Sequence, residues 1–279
     1  MKFVNIVCCH KASDIPVDSN KIPIQVGRAL SNVKLQMLGD DTGDNISSKN
    51  HSYCELTGIY WAWKNMQDVD VFGLSHYRRY FDFHNQVRSG FPHMTLPEKS
   101  IYDVNLSISG TDICEIKPGV IILPAPINLR SNLMLHYCSH HISDDYKMLS
   151  RIIHNTQPEY LIKAFENVMM NKNKISPYNM FIMCKDDFNE YCSWLFPLLS
   201  KVENSINIDH YDFNQGRVYG YMAERLLNVW VESKQMRVIY KPVIIFSDNY
   251  DHLNDYSHIR YRLRCLLNNL SCYFQHYKF

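Results

Sequence analysis

The chain has 279 residues, 46% of them hydrophobic and 20% charged, the balance of a globular protein long enough to bury a sizeable core. With 29 Lys and Arg against 28 Asp and Glu, no global basic field exists to steer a polyanion, which sets nucleic-acid binding aside. The nine scattered Cys hold no C-x-x-C pair and no finger-like Cys/His spacing, so they read as reduced thiols of a cytoplasmic protein, and no apolar run approaches the roughly 18 residues of a membrane span.

Phe3–Cys9 (FVNIVCC) is an apolar run with the length of a buried first strand, central to a sheet. His10 and Lys11 follow it, at the strand end where open α/β folds hold ligands; the other reading of the pair is a surface turn. Residues 12–51 are rich in turn formers, and loops of this length inside a domain are usually functional. Asp40, Asp41 and Asp44 there suit either a hard divalent cation or a tight turn. Asn45, Ser47 and Asn50 are neutral hydrogen-bonders suited to sugar hydroxyls. Ser52 and Glu55 then spell an S-x-x-E capping box, with Leu56, Ile59, Tyr60 and Trp63 along one helical face. After a break at 65–68, residues 69–74 form a short strand. Ser75, His76, Tyr77, Arg78, Arg79 and Tyr80 crowd its end, either as an anion-binding floor or as a solvated strand end.

Residues 83–115 lack a period and read as a mobile insertion or lid. GVIIL at 119–123 is a buried strand. From Ser131 the chain turns helical, and His136 and His140 share a face with His141 and Asp144 nearby. Metal ligation, acceptor contact and a plain polar face are the three readings of that group. Residues 158–171 predict another helix, 180–184 a strand, and a helix starting near Asp187 carries a core stripe of Phe188, Tyr191, Trp194 and Leu195. A helix over 217–232 buries Ala223, Leu226, Leu227 and Trp230 and turns Glu224 and Arg225 elsewhere. Residues 236–246 supply a last strand pair around Pro242. Residues 256–279 set Arg260, Arg262 and Arg264 beside Leu263, Leu266, Leu267, Leu270 and Phe274, a basic amphipathic helix suited to an anionic membrane surface, to docking or to an oligomer contact.

The strings SSKNHSYCELTGIYWAWKN and VFGLSHYRRYF resemble the signature of a bacterial family long classed as a domain of unknown function and usually described as capsular, exopolysaccharide or O-antigen glycosyltransferases. CCHK with PIQVG, SPYNMFIM with YCSWLFPLL, and GRVYGYMAERLLNVW fit the same family, so the resemblance runs over about residues 3 to 247. It implies sugar transfer from a nucleotide donor, on an α/β fold: a single GT-A-like domain over 1–255 with a mainly parallel central sheet and helical C-terminal additions, followed by the amphipathic helix at 256–279. The expected reaction moves a hexose, with galactose in pyranose or furanose form as first choice, from UDP to a saccharide in surface polysaccharide synthesis. The acceptor is expected on a polyprenyl diphosphate, and the protein in the cytoplasm, peripheral on the inner face of the membrane.

For that chemistry His76, Arg78 and Arg79 would neutralise the leaving diphosphate, and Glu224 would be the general base of an inverting transfer. His10, Lys11, Asn45, Asn50, Tyr53, Glu55 and Tyr77 would hold the donor. Tyr178, Asn179 and His136 would hold the acceptor, the Asn because GT-A transferases often carry one just before such a strand. A divalent metal, manganese or magnesium, is not expected to be essential. The Asp68-x-Asp70 pair precedes its strand, at the wrong end for holding a diphosphate, which leaves Asp41, Asp44 or Asp70 as fallback ligands. The rival class is a non-catalytic nucleotide- or glycan-binding module; a dinucleotide enzyme is disfavoured because no G-x-G-x-x-G follows the first strand.

Overall fold

A computed structural model describes residues 1–16, 18–249 and 257–276. All seven residues of β1, Phe3–Cys9, are buried, because the strand lies mid-sheet and is covered on both faces, which is why its sequence is apolar at every position but Asn5 rather than alternating. Around it run β2 (Lys21–Gln25), β3 (Leu38–Gly39), β4 (Val71–His76), β5 (Arg79–Phe81), β6 (His93–Leu96), β7 (Val120–Pro124), β8 (Ile127–Asn128), β9 (Lys174–Ile175), β10 (Phe181–Cys184), β11 (Arg237–Lys241) and β12 (Val243–Phe246). The helices are α1 (Asn50–Tyr53), α2 (Leu56–Asn65), α3 (Leu133–His140), α4 (Ser143–Thr156), α5 (Glu159–Glu166), α6 (Lys185–Glu203), α7 (Val218–Ser233) and α8 (His258–His276).

The main sheet has the order β11-β7-β10-β4-β1-β2-β3. Its neighbours pair parallel except β10, which runs antiparallel to both β4 and β7. This is the mixed α/β architecture with a mainly parallel central sheet that the alternation of elements predicts. Beyond the carboxyl end of β4 the chain folds back as β5, which pairs with β12, and β12 pairs with β6. β11 and β12 are the expected last two strands around Pro242, and each leaves that proline for a different neighbour.

One face of the sheet, through Val4, Ile6, Leu74 and Phe181, packs on α2, α6 and α7. The stripe on α6 lies where its spacing puts it, with Phe188, Tyr191 and Leu195 buried and Trp194 packed at the core's edge. The other face is covered by the stretch read as a lid. Phe83, Val87, Phe91, Ile101, Leu106, Ile108, Ile113 and Ile116 are all buried, against Phe3, Val71 and Ile182 on one side and Val7 and Cys9 on the other. It is a packed layer, aperiodic because each apolar residue meets the sheet singly instead of along a helix stripe.

The expected capping box does not form. Ser52 lies inside α1, its hydroxyl donating to the Lys49 carbonyl. Cys54, at φ 52° and ψ −133°, breaks the chain between α1 and α2. That break lets Asn50 donate to the Cys54 carbonyl and to Thr57 Oγ1, and frees Glu55 for another partner. The C-terminal helix is present, but its expected first residue, Tyr256, and residues 277–279 lie outside the described residues. No helix among the described residues is long and apolar enough to cross a membrane.

Candidate active site

The site forms where β1 and β4 end. His76 closes β4 and pairs directly with Arg79 of β5 across a tight hairpin, and residues opposite each other on paired strands share a face. Their side chains therefore act together, while Arg78, next in sequence to Arg79, turns away. The contacts agree. Arg79 lies over the Tyr178 ring at 4.7 Å. Arg78 Nη2 meets Glu98 at 2.5 Å and its guanidinium lies over Tyr77 at 5.1 Å. The paired arginine fork expected from the string HYRRY is thus split between two directions.

Because β10 runs against β4, its amino-terminal end arrives at the edge where β1 and β4 finish. There Tyr178 and Asn179 sit consecutively at φ 74° and 53°, conformations that cost roughly 1–3 kcal/mol each outside glycine. Specific bonds hold them. Tyr178 N–H donates to Glu224 Oε1 at 2.7 Å, and Asn179 Nδ2 donates to Glu55 Oε1 at 2.6 Å and to the Gly220 carbonyl at 3.2 Å. Asn179 Oδ1 is buried with no hydrogen-bond partner among the described residues, so one acceptor remains to offer.

His76 Nε2 lies 2.7 Å from the Tyr178 carbonyl. A carbonyl only accepts, so Nε2 carries the proton and Nδ1 is the acceptor of a neutral ring. Burial pushes the His76 pKa down, Arg79 and Arg217 add to that, and Glu55 opposes it. A neutral ring whose donor is spent on Tyr178 is not the cation expected to face a diphosphate; its geometry holds the Tyr178 turn. His10 is likewise pushed down, first by burial and then by Lys11, Arg78 and Arg217. Its ring meets Tyr77 edge-on at 5.0 Å, and Lys11 Nζ lies 5.8 Å from the Tyr77 ring centre. Beside Tyr77 opens a cavity of about 470 Å³ lined by Ala12, Ser13, Asp14, Arg78 and Glu98 among others.

Arg217 belongs to this cluster and was missed in the sequence. It stands at the N-cap of α7, donates from Nε to Cys54 Sγ at 3.3 Å, and lies over the Tyr221 ring at 5.3 Å. Its signal was a broken rule: an arginine at a helix amino terminus opposes the macrodipole, and such violations concentrate at functional sites. Tyr221 in turn stacks on His141 at 4.1 Å. Next to them Arg225, which is buried, places Nη2 3.2 Å from His136 Nδ1 and Nη1 3.3 Å from Glu224 Oε2. Burial, reinforced by Arg225, drops His136 and His141 to about 4. His136 and His140 stack at 4.4 Å. The result is a shelf beside Glu224 made of two neutral imidazoles, His136 and His141, and the Tyr221 phenol.

Three expected donor residues lie elsewhere. Asn45 makes its own turn, through bonds to Gly43 and Ser47. Asn50 holds the break between α1 and α2. Tyr53 is buried, its hydroxyl donating to Glu203 Oε2. The fallback metal ligands do not meet: Asp41 pairs with Arg28 and Lys34, Asp44 with Lys64, and Asp70 with the amino terminus at the opposite edge of the sheet. Asp40, fully buried, accepts from Gly27 N–H, Arg28 N–H and Ser47 Oγ, which makes it a loop anchor. No group of three metal-binding side chains occurs among the described residues.

The family described as a domain of unknown function (DUF4422) matches residues 5–235. No curated protein matches the chain. Among solved structures it is similar to the apo structure of the bifunctional glycosyltransferase WbbM, with 30% identity and a TM-score of 0.80 over 89% of this chain and 46% of that one. The chain thus spans less than half the length of that relative.

Proposed function

We propose that this chain, which belongs to the family described as a domain of unknown function (DUF4422), is a glycosyltransferase that moves a hexose from a UDP-sugar to a saccharide of a bacterial surface polysaccharide. The observation that carries the reading is the convergence, at the ends of β1 and β4, of fixed cations with two carboxylates. Arg79, Arg217 and Lys11 supply positive charge around His10 and His76, while Glu55 and Glu224 are held on the Tyr178–Asn179 turn. The similarity to a bifunctional glycosyltransferase supports it.

In this reading the nucleoside takes the cavity beside Tyr77 and the diphosphate lies towards Arg79 and Arg217. As the bond from the anomeric carbon to the diphosphate oxygen breaks, negative charge grows on that oxygen, and preorganised guanidiniums stabilise it without reorganising. The acceptor sugar stacks on the shelf of His136, His141 and Tyr221. Its hydroxyl attacks the anomeric carbon and its proton passes to a carboxylate. We assign that proton to Glu224, which adjoins the shelf; Glu55 fixes Asn179. His76 acts as a positioning residue for the turn.

The test is a panel of nucleotide sugars read by thermal shift, since a ligand that binds only the folded state raises its apparent stability, followed by release of the nucleotide with and without oligosaccharide acceptors. A stabilising UDP-hexose that is hydrolysed slowly alone and faster with acceptor supports the transferase. Tight UDP binding with no turnover under any acceptor identifies a binding module instead.

A further inference from the structure

Helix α8 is docked the wrong way round for an ordinary surface helix. Its inward side holds Asn268 and Cys272, both buried, with Tyr261 and Cys265 half-buried. At about 100° per residue these four fall within a sector of about 60°. The contacts there are largely polar: Asn268 Nδ2 donates to the Asn128 carbonyl, and Asn269 Oδ1 accepts from Asn128 and Asn173. Tyr261 stacks on Phe91 at 4.7 Å. Ile259, Leu263, Leu266, Leu267, Leu270, Tyr273 and Phe274 are each more than half exposed, and they occupy a sector of about 120° centred diametrically opposite the docked side. A helix so oriented leaves its apolar stripe in water, which is unfavourable in an isolated molecule.

Charge indicates what covers the stripe. Arg260 and Arg264 project from one flank of the apolar sector and Arg262 from the other, all exposed, and the helix carries no Asp or Glu. Taking these three from the 29 Lys and Arg leaves 26 against 28 Asp and Glu in the remainder of the chain, so the excess positive charge of the molecule is concentrated on this helix. An apolar sector bordered on both sides by arginines fits the boundary of a bilayer, where the stripe enters the acyl region and the guanidiniums reach lipid phosphates. A groove of about 530 Å³ between Gly90, His258, Tyr261, Arg262, Cys265 and Leu266 extends this surface inward.

We infer that α8 is an interfacial helix that seats the protein on an anionic phospholipid surface. The topology sets what this surface presents. Strands β4 and β7 run parallel, since both oppose β10 between them, and β8, to which α8 is bonded, directly follows the carboxyl end of β7. The helix therefore lies at the same edge of the sheet as the candidate active site.

The experiment is co-sedimentation of the full chain with vesicles of equimolar phosphatidylglycerol and phosphatidylcholine, and with phosphatidylcholine alone. Two variants accompany it: Leu263→Asp/Leu267→Asp/Leu270→Asp, and Arg260→Ser/Arg262→Ser/Arg264→Ser. Both change outward side chains, so thermal unfolding by circular dichroism should match the parent. Expected is binding to the anionic vesicles that falls with salt, weaker binding to the neutral ones, and a loss of about tenfold or more in partitioning for each variant. Equal binding to both vesicle types, or a variant that partitions like the parent, overturns the inference. So does a chain that ignores vesicles but forms a dimer that the leucine variant dissolves, which would mean that a second copy covers the stripe.

Discussion

Arg78 and Arg79 are adjacent in sequence yet should behave as different kinds of residue. Replacing Arg79 by Ala removes a guanidinium that stacks on Tyr178 at 4.7 Å. As a structural contact this is worth about 1 kcal/mol. As an electrostatic donor to a leaving diphosphate it is worth more: two unit charges about 4 Å apart interact by about 4 kcal/mol at an effective dielectric constant near 20, and loss of one such donor typically costs 2.7–4 kcal/mol of barrier. We expect turnover to fall by about 10²–10³-fold, with a midpoint of urea unfolding little moved. Arg78→Ala removes a partly exposed pair with Glu98, worth about 0–1 kcal/mol, together with one wall of the cavity beside Tyr77. It should raise the donor KM and leave kcat within about threefold. Steady-state kinetics with a saturating acceptor separates the two parameters. Equal losses of kcat in both variants would refute the reasoning, because the hairpin would then not be sorting the two side chains.

Glu224→Gln keeps an acceptor for Tyr178 N–H but no base, so turnover should drop by about a hundredfold with donor affinity retained; near-normal turnover, or a product whose anomeric configuration is retained, removes Glu224 from the role. Exhaustive EDTA treatment should leave most activity in place if Arg79, Arg217 and Lys11 carry the charge of the diphosphate, and complete loss restored by manganese would contradict this. Folding stability should fall as pH drops from about 6.5 to about 4: His136 and His141 are held neutral at a folded value of about 4, so the unfolded chain binds more protons across that window. Replacing both by Asn should flatten the curve of melting temperature against pH. Gly220→Ala would put a methyl group 3.1 Å from Cys54 Sγ and 3.3 Å from its Cβ, and α7 should be pushed off α1 at a cost of about 1–3 kcal/mol in urea unfolding.

What was readable in the sequence was whatever depends on local period. The apolar run of β1, the stripe on α6 and the helix over 217–232 stand close to where their patterns put them. Strand direction has no such pattern. The reversal of β10 is invisible in FIMC, yet it brings Tyr178 and Asn179 to the site. The string HYRRY reads as one cluster because composition says nothing about a turn, whereas a tight hairpin divides it. Ser52 and Glu55 match a capping box in spacing, but the positive φ at Cys54 ends α1 first and Glu55 serves Asn179 instead. The apolar spacing of α7 directs Arg225 away from the stripe of Ala223, Leu226, Leu227 and Trp230 but does not say whether it meets solvent or protein. It is buried at 4% exposure, its charge met by Glu224 and by the Tyr137 ring at 5.1 Å.

The clamp on Asn179 has a consequence for how the molecule acquires its competence. Its partners are Glu55, 124 positions upstream, and Gly220, 41 positions downstream. Neither bond can form until large loops have closed, and closures of that span are slow, late events in a folding reaction. Strands β1, β2 and β4 together with α2 lie within the first 76 residues and have their own pairing and packing to guide them. A refolding chain should therefore recover helical signal well before it recovers nucleotide binding. A nascent chain that has not yet released Arg217 would hold most of a sheet and none of the chemistry.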